Sequence, residues 1–182
     1  MSRGLGDVYK RQRLTDEEVI ARCPWATTGR THHRTPNIIT SLELDPAEME
    51  KRNIHLQKKY AEIEENEVRF EELHCEDAEY LIVAFGSCAR IAQKAMEMAR
   101  EEGIKVGLLR PITLWPFPSK AIAARAAQVK GILTVELNAG QMVEDVRLAV
   151  ECKVPVEHFG RLGGIVPDPD EVITALKEKL IK

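Results

Sequence analysis

The stretch Tyr80-Leu81-Ile82-Val83-Ala84-Phe85, closed by Gly86-Ser87, decides the fold. Six apolar residues in a row, cut off by a turn signal, are what a strand covered on both faces requires. Behind it, residues 88–102 carry Ile91, Ala92, Ala95, Met96 and Ala99 at helical spacing, and Gly103 provides the stop. The same cycle then repeats. Residues 106–109 read as a strand, 111–118 as a long turn and 119–129 as a helix. Residues 131–137 and 141–150 make the third strand and helix, and 154–159 the fourth strand. A loop over 160–169 leads to a closing helix over 170–182, with Val172, Ile173, Leu176 and Leu180 turned inward. Short strands alternating with helices imply βαβ units and a parallel sheet with helices on both faces. The expected class is α/β, a small doubly wound parallel sheet.

Upstream the texture changes. Asp45-Pro46 is a helix start, with Asp45 accepting from free N–H groups and Pro46 at the first helical position. Good helix formers continue to Leu73, with Met49, Leu56, Tyr60, Ile63 and Phe70 as a narrow apolar stripe. This predicts a long, mostly solvated helix linking two domains, and the acidic run over 62–72 reads as a wet helix face. Before it, Thr15 and Glu18 form a capping-box pattern. Cys23-Pro24-Trp25, Gly29, His32-His33 and Pro36 read as loop, and residues 37–41 as a brief extended piece. Residues 1–12 show no periodicity and read as a non-native tail, so that Met1 is not a natural start.

Composition narrows the function. The 182 residues are 44% hydrophobic and 30% charged with a net charge of −3, a globular balance with no electrostatic pull toward nucleic acid or an anionic membrane. No run approaches the roughly 18–20 apolar residues of a membrane span, and no apolar signal segment opens the chain. A cytoplasmic location follows as the expectation. Cys23, Cys75, Cys88 and Cys152 form no CxxC pair, so neither zinc nor iron–sulfur ligation is supported and reduced thiols are expected.

In a doubly wound sheet, ligands bind beyond the carboxyl ends of the strands. The first such turn holds Gly86 and Ser87, where a backbone can approach an anion and a hydroxyl can cap the helix. It is neither GxGxxG nor a P-loop, and a plain capped helix start is the favoured reading. The second turn, Arg110-Pro111-Ile112-Thr113-Leu114-Trp115-Pro116-Phe117-Pro118, is stiff and aromatic. Arg110, Trp115 and Phe117 are candidate subunit-interface residues, with the alternative that the aromatics cap their own core. The third turn begins at Glu136, a lone carboxylate without a sequence-fixed partner for acid–base work. In Gly160-Arg161-Leu162-Gly163-Gly164, Gly163 and Gly164 are weak candidates for approach to a cofactor, with a tight turn as the plainer reading. His32, His33, His74 and His158 lack metal-ligand spacing, His158 reading as packed or at an edge. Cys88, near a helix start, has no sequence-defined base and is not read as a nucleophile. No catalytic residue and no metal ligand is assigned.

Three stretches nevertheless carry a family resemblance: YLIVAFGSCAR (80–90), KVGLLRPITLWPFPSK (105–120) and NAGQMVEDVRLAVECKVPVEHFGRLGGIVP (138–167). With NIITSLELDPAEMEKRN (37–53) they resemble the thiamine-diphosphate-dependent subunit of 2-oxoacid:ferredoxin oxidoreductases, over residues 13–182. The GQMVEDVRLAV and GRLGG blocks look most like the branched-chain 2-oxoisovalerate type, and next the 2-oxoglutarate type.

The resemblance implies oxidative decarboxylation of a 2-oxoacid, transfer of the acyl group to coenzyme A and reduction of ferredoxin. It implies residues 13–44 as the end of a pyrimidine-binding domain, 45–76 as a linker helix and 77–182 as a transketolase C-terminal-like α/β domain. Thiamine diphosphate with magnesium would then belong to the full complex, and iron–sulfur clusters to partner subunits. No cofactor is expected in this chain alone, whose role would be assembly and active-site shaping. Two alternatives stand beside it. One is a stand-alone doubly wound module binding a small anion at Gly86–Ala89 and Gly160–Gly164. The other is a transketolase-like subunit of a 2-oxoacid dehydrogenase, which the linker and the LWPFP context disfavour.

Overall fold

A five-stranded sheet in the order β1-β3-β2-β4-β5 organises the computed structural model, which describes residues 15–22 and 42–181. The readings on residues 1–12, on the loop over 23–36 and on the extended piece over 37–41 lie outside the described residues. The chain divides into two units, Met1–Arg52 and Asn53–Lys182.

In the first unit, α1 (Asp16–Arg22) starts with the capping box read from sequence. The Thr15 N–H donates to Glu18 Oε2 at 2.8 Å, and the Glu18 N–H donates to Thr15 Oγ1 at 3.2 Å. Asp45 likewise caps α2 (Pro46–Asn66), accepting from the N–H groups of Ala47 (2.8 Å) and Glu48 (3.3 Å).

The helix stops at Asn66, seven residues short of Leu73, where the sequence reading ends it. Phe70–Leu73 is instead β1, antiparallel to β3 (Val106–Pro111). Helix propensity in Glu71-Glu72 is worth only tenths of a kcal/mol per residue, whereas the open edge of β3 offers a full ladder of backbone partners. Glu71 lies opposite Arg110 in that ladder and pairs with it at 2.8 Å.

The rest of the second unit follows the alternating pattern: β2 (Tyr80–Ala84), α3 (Gly86–Glu101), β3, α4 (Ser119–Ala126), β4 (Gly131–Glu136), α5 (Met142–Val150), β5 (Val156–Gly160) and α6 (Pro169–Leu176). A π turn, Lys177–Ile181, ends it where a continued α-helix is expected. β3, β2, β4 and β5 are mutually parallel. α6 carries a capping box from Asp168 to Glu171, with Pro169 behind the cap.

Alternation along β2 fills two cores. Ile82 and Ala84 join Leu108, Leu133 and Val135 against Ala92, Ala95, Met96 and Leu176 of α3 and α6. Leu81 and Val83 join Leu109 and Ile132 against Ile122, Val146 and Val150 of α4 and α5. Each fully buried Leu or Ile contributes about 1.5–3 kcal/mol. Period two inside a continuous apolar run is therefore what places helices on both faces.

Two arginines tie the edge strand down. Arg125 grips both Glu72 carboxylate oxygens at 2.9 and 2.6 Å. Arg100 donates to the carbonyls of His74 (2.9 Å) and Val106 (2.8 Å) and to Asp77. The Trp115–Pro116 peptide is cis.

Candidate functional site at the sheet's switch point

β2 and β4 lie side by side, yet the chain leaves them toward opposite faces, into α3 and α5 respectively. That is the topological switch point of a doubly wound sheet, where a crevice opens beyond the strand ends. The turns that border it are those after Phe85 and after Glu136.

Glu136 is only 1% exposed. Its carboxylate accepts from the N–H groups of Gln141 (3.3 Å), Met142 (2.9 Å) and Val143 (3.1 Å), the opening turn of α5. Gln141, at the cap position, contributes no side-chain bond. A strand residue thus replaces the missing cap, with its charge aligned to the helix dipole. The anion position at this helix start is filled by the protein itself.

His158 of β5 completes the cluster. Its Nδ1 lies 3.4 Å from Glu136 Oε1 and 3.2 Å from Thr134 Oγ1, and its Nε2 lies 3.3 Å from the Asn138 carbonyl. A carbonyl only accepts, so the Nε2 contact calls for the ring hydrogen on that nitrogen. Asn138 Oδ1 closes the turn by accepting from the Gly140 N–H at 2.7 Å. Gly160 makes this approach feasible: a Cβ there would sit 2.2 Å from the Asn138 carbonyl. What the arrangement does chemically is fix one turn of the crevice. It presents no nucleophile with an adjacent base.

Cys88 lies below the neighbouring turn, 4% exposed. Burial first, then the Glu136 charge, push its thiol up, away from the reactive thiolate. Gly86, at φ +57°, and Ser87 are both exposed. Phe85 is the cap residue and makes no side-chain bond, so Ser87 lies inside the first turn rather than capping it. At the far strand, Gly163 and Gly164 hold φ of +65° and +84° with open space around them. Beside them the Arg161 N–H donates to the Glu136 carbonyl at 3.2 Å, and its guanidinium lies 3.3 Å from Glu171. Gly86 and Ser87 therefore flank the crevice, while Gly163 and Gly164 cap the sheet beyond β5.

The aromatic turn after β3 splits by residue. Arg110 is paired with Glu71 in the same domain. Phe117 packs against the α4/α5 core. Trp115 remains 55% exposed, its ring 5.6 Å from Tyr60 of α2 and perpendicular to it at 85°. Between the end of α2 and this turn runs a cleft of about 900 Å³, floored by Phe70, Trp115 and Phe117 and edged by Glu64, Glu65 and Lys120. Among the described residues no three His, Cys, Asp or Glu side chains group as a metal site, and no helix is long and apolar enough to cross a membrane.

Sequence reasoning placed Glu136 at a strand end but missed its partners. A cap taken from five to seven residues away has no short motif, and His158 arrives from another strand.

Comparison with known proteins bears on the same region. Residues 78–172 match the family described as pyruvate:ferredoxin oxidoreductase core domain II. The ketoisovalerate oxidoreductase subunit VorB of Methanothermobacter thermautotrophicus is 44% identical over 176 residues, covering 96% of this chain and 49% of that protein. The 2-oxoglutarate synthase subunit KorA of Archaeoglobus fulgidus is 32% identical over 143 residues, covering 77% of this chain and 40% of that protein. The 2-oxoglutarate:ferredoxin oxidoreductase of Magnetococcus marinus, solved with 2-oxoglutarate, coenzyme A and succinyl-CoA bound, superposes with a TM-score of 0.65. It is 25% identical, over 75% of this chain and 24% of that one. A split-gene transketolase, at 19% identity and a TM-score of 0.53, shares the fold. The chain spans about half the length of the ketoisovalerate oxidoreductase subunits it matches. With more than half of its residues matched, and those residues carrying β2 to β5 and α3 to α5, the chain belongs to the pyruvate:ferredoxin oxidoreductase core domain II family.

Proposed function

We propose that the chain is part of the thiamine-diphosphate-dependent subunit of a 2-oxoacid:ferredoxin oxidoreductase of the ketoisovalerate type. The observation that carries this is the reach of the likeness. Identity to the ketoisovalerate subunits is 44–45% over 96% of the chain. Identity to the 2-oxoglutarate subunits is 31–35% over 55–77% of it. The complex would decarboxylate a branched 2-oxoacid oxidatively, form the acyl-CoA and reduce ferredoxin, in the cytoplasm, with other subunits as direct partners. Residues 77–182 would be the transketolase C-terminal-like domain and 45–76 the linker, whose helical part is Pro46–Asn66. Residues 13–44 would end a pyrimidine-binding domain.

The described residues do not fit a magnesium diphosphate site. The α5 helix start is occupied by Glu136, and no three-carboxylate or histidine group stands nearby. No step is therefore routed through thiamine diphosphate, its metal or an iron–sulfur cluster in this chain. Its own residues hold shape: Glu136, His158 and Asn138 fix the crevice turn. Gly86 and Ser87, with Gly163 and Gly164 beyond, offer bare backbone to whatever closes over the sheet end. Trp115 offers an exposed aromatic anchor to a neighbouring subunit.

The test is turnover of 2-oxoisovalerate with coenzyme A and a viologen acceptor. The purified chain should be inactive, and activity of the chain alone would overturn the proposal. The anion-module reading has one feature in its favour, the α3 start without a capping side chain. Calorimetry with coenzyme A separates the two, since tight binding by the isolated chain supports the module.

A further inference from the structure

We propose that the cleft between the end of α2 and the turn after β3 receives an arginine side chain carried by a segment of a neighbouring subunit. This deepens the reading of the chain as part of a multi-subunit enzyme, and rests on it for the source of that segment. The floor of the cleft is aromatic, lined by Phe70, Trp115 and Phe117, of which Phe70 and Trp115 are exposed. Tyr60 braces Trp115 ring to ring at 5.6 Å without lining the cleft itself. The α2 rim is acidic. Glu64 and Glu65 follow Ala61 by three and four residues, so the three share the helix face that lines the cleft. Neither carboxylate has an ion-pair partner among the described residues. Carboxylates beside aromatic faces suit a cation. A planar guanidinium stacks on an indole while its N–H fork meets a carboxylate, which a compact ammonium does less well.

The cleft is built before anything enters it. Thr113 Oγ1 donates to the Pro116 carbonyl at 2.8 Å and accepts from the Arg69 N–H at 3.0 Å. The Arg69 carbonyl accepts from the N–H groups of Ile112 (2.9 Å) and Thr113 (3.1 Å). With Pro111, Pro116 and Pro118 buried as well, the turn loses little freedom on contact. Ile112 and Leu114 stand exposed on the same turn, so apolar surface continues beyond Trp115. A free cation would leave that surface wet, whereas a polypeptide covers it as its arginine enters. Arginine set against tryptophan inside an apolar surround is the pattern of interface hot spots. On the α4 rim stands Lys120, also without an ion-pair partner among the described residues. Its charge repels the guest from that side and directs it toward Glu64 and Glu65.

The test uses the full 182-residue chain with Trp25→Phe, which leaves Trp115 as its only tryptophan. Blocked tripeptides leucine-X-leucine, with X arginine, lysine or glutamate, are titrated against Trp115 emission and by calorimetry. The arginine peptide should shift the emission saturably, bind tighter than the lysine peptide, and bind about tenfold or more tighter than the glutamate peptide. High salt should weaken it. Glu64→Gln with Glu65→Gln should weaken it by about tenfold, and Lys120→Glu should strengthen it. Circular dichroism of each variant checks that these exposed substitutions leave the fold intact. No saturable response to the arginine peptide overturns the inference. Equal binding of the arginine and glutamate peptides, or an affinity indifferent to the two carboxylates, overturns it equally. Two other occupants have their own signatures, and either one overturns it. Free arginine amide binding as tightly as the tripeptide marks a small-cation site. A molar mass that doubles with concentration in light scattering, and does so no longer in the Glu64/Glu65 variant, gives the cleft to a second copy. No partner subunit and no turnover enters these measurements, so their failure leaves the proposed reaction standing. Activity of the chain alone would overturn the subunit reading and leave the measured binding in place.

Discussion

Glu136 has almost no water around it and three backbone N–H groups pointed at it. Charge-assisted bonds of this kind are worth about 1.5–3 kcal/mol each when lost from a buried site, and they are not additive. Glu136→Ala should therefore cost about 2–4 kcal/mol, read as a lower urea midpoint, with exchange rising first in the amides of the α5 opening turn. A change under about 0.5 kcal/mol would show that the cap is not supporting the helix. Cys75 gives a pH prediction. Burial, then the Glu72 carboxylate, push its thiol up to about 11 from 9.0. The folded chain then keeps a proton that the unfolded chain releases. Its stabilisation is full below pH about 9 and is lost as pH rises toward 11, by about 2–3 kcal/mol. Subtracting the pH profile of Cys75→Ala from that of the parent isolates this loss. Parallel profiles from pH 8 to 11 would contradict it.

At the scale of elements, the edge strand and the β5 end are the places where single changes should propagate. Arg125→Ala removes the bidentate grip on Glu72, a pair largely shielded from water at both partners. It should cost about 1–2 kcal/mol, with amide exchange accelerating in β1 well before β4. Uniform acceleration across the sheet would contradict the local role. Gly160→Ala forces a methyl toward the Asn138 carbonyl, where the backbone cannot give way like a flexible side chain. About 1–3 kcal/mol of destabilisation is expected, seen as a fall in melting temperature. These elements also show where reading the sequence succeeds and stops. The run at Tyr80 to Ala84 announces a central strand because both of its faces are apolar. Phe70 to Leu73 hides, because Glu71 and Glu72 are helix formers and only the β3 edge, some forty residues on, makes a strand worthwhile. The capping box from Asp168 to Glu171 went unread, because Asp168 and Pro169 sit at the end of a stretch whose glycines and prolines read as loop. The Glu136 cluster was half legible: the carboxylate was placed at a strand end, but its donors and His158 are joined only by the crossover of α5.

At the scale of the molecule, the domain keeps its polar network for shape and leaves its exposed apolar groups for contact. Leu137, Leu162, Ile165 and Val166 stand open at the carboxyl end of the sheet, and Trp115 at the turn after β3. On the proposed function, a domain built this way would serve the reaction by presenting a rigid surface to the parts that hold the reacting groups. That is the central claim, and a graft tests it directly. Residues 77–181 would replace the matching segment of a ketoisovalerate:ferredoxin oxidoreductase complex, and 2-oxoisovalerate turnover would be measured with coenzyme A. The predicted result is an assembled complex whose kcat stays within about tenfold of the parent, that is, within about 1.4 kcal/mol of its barrier. A complex that assembles fully, binds coenzyme A and yet turns over nothing would contradict it.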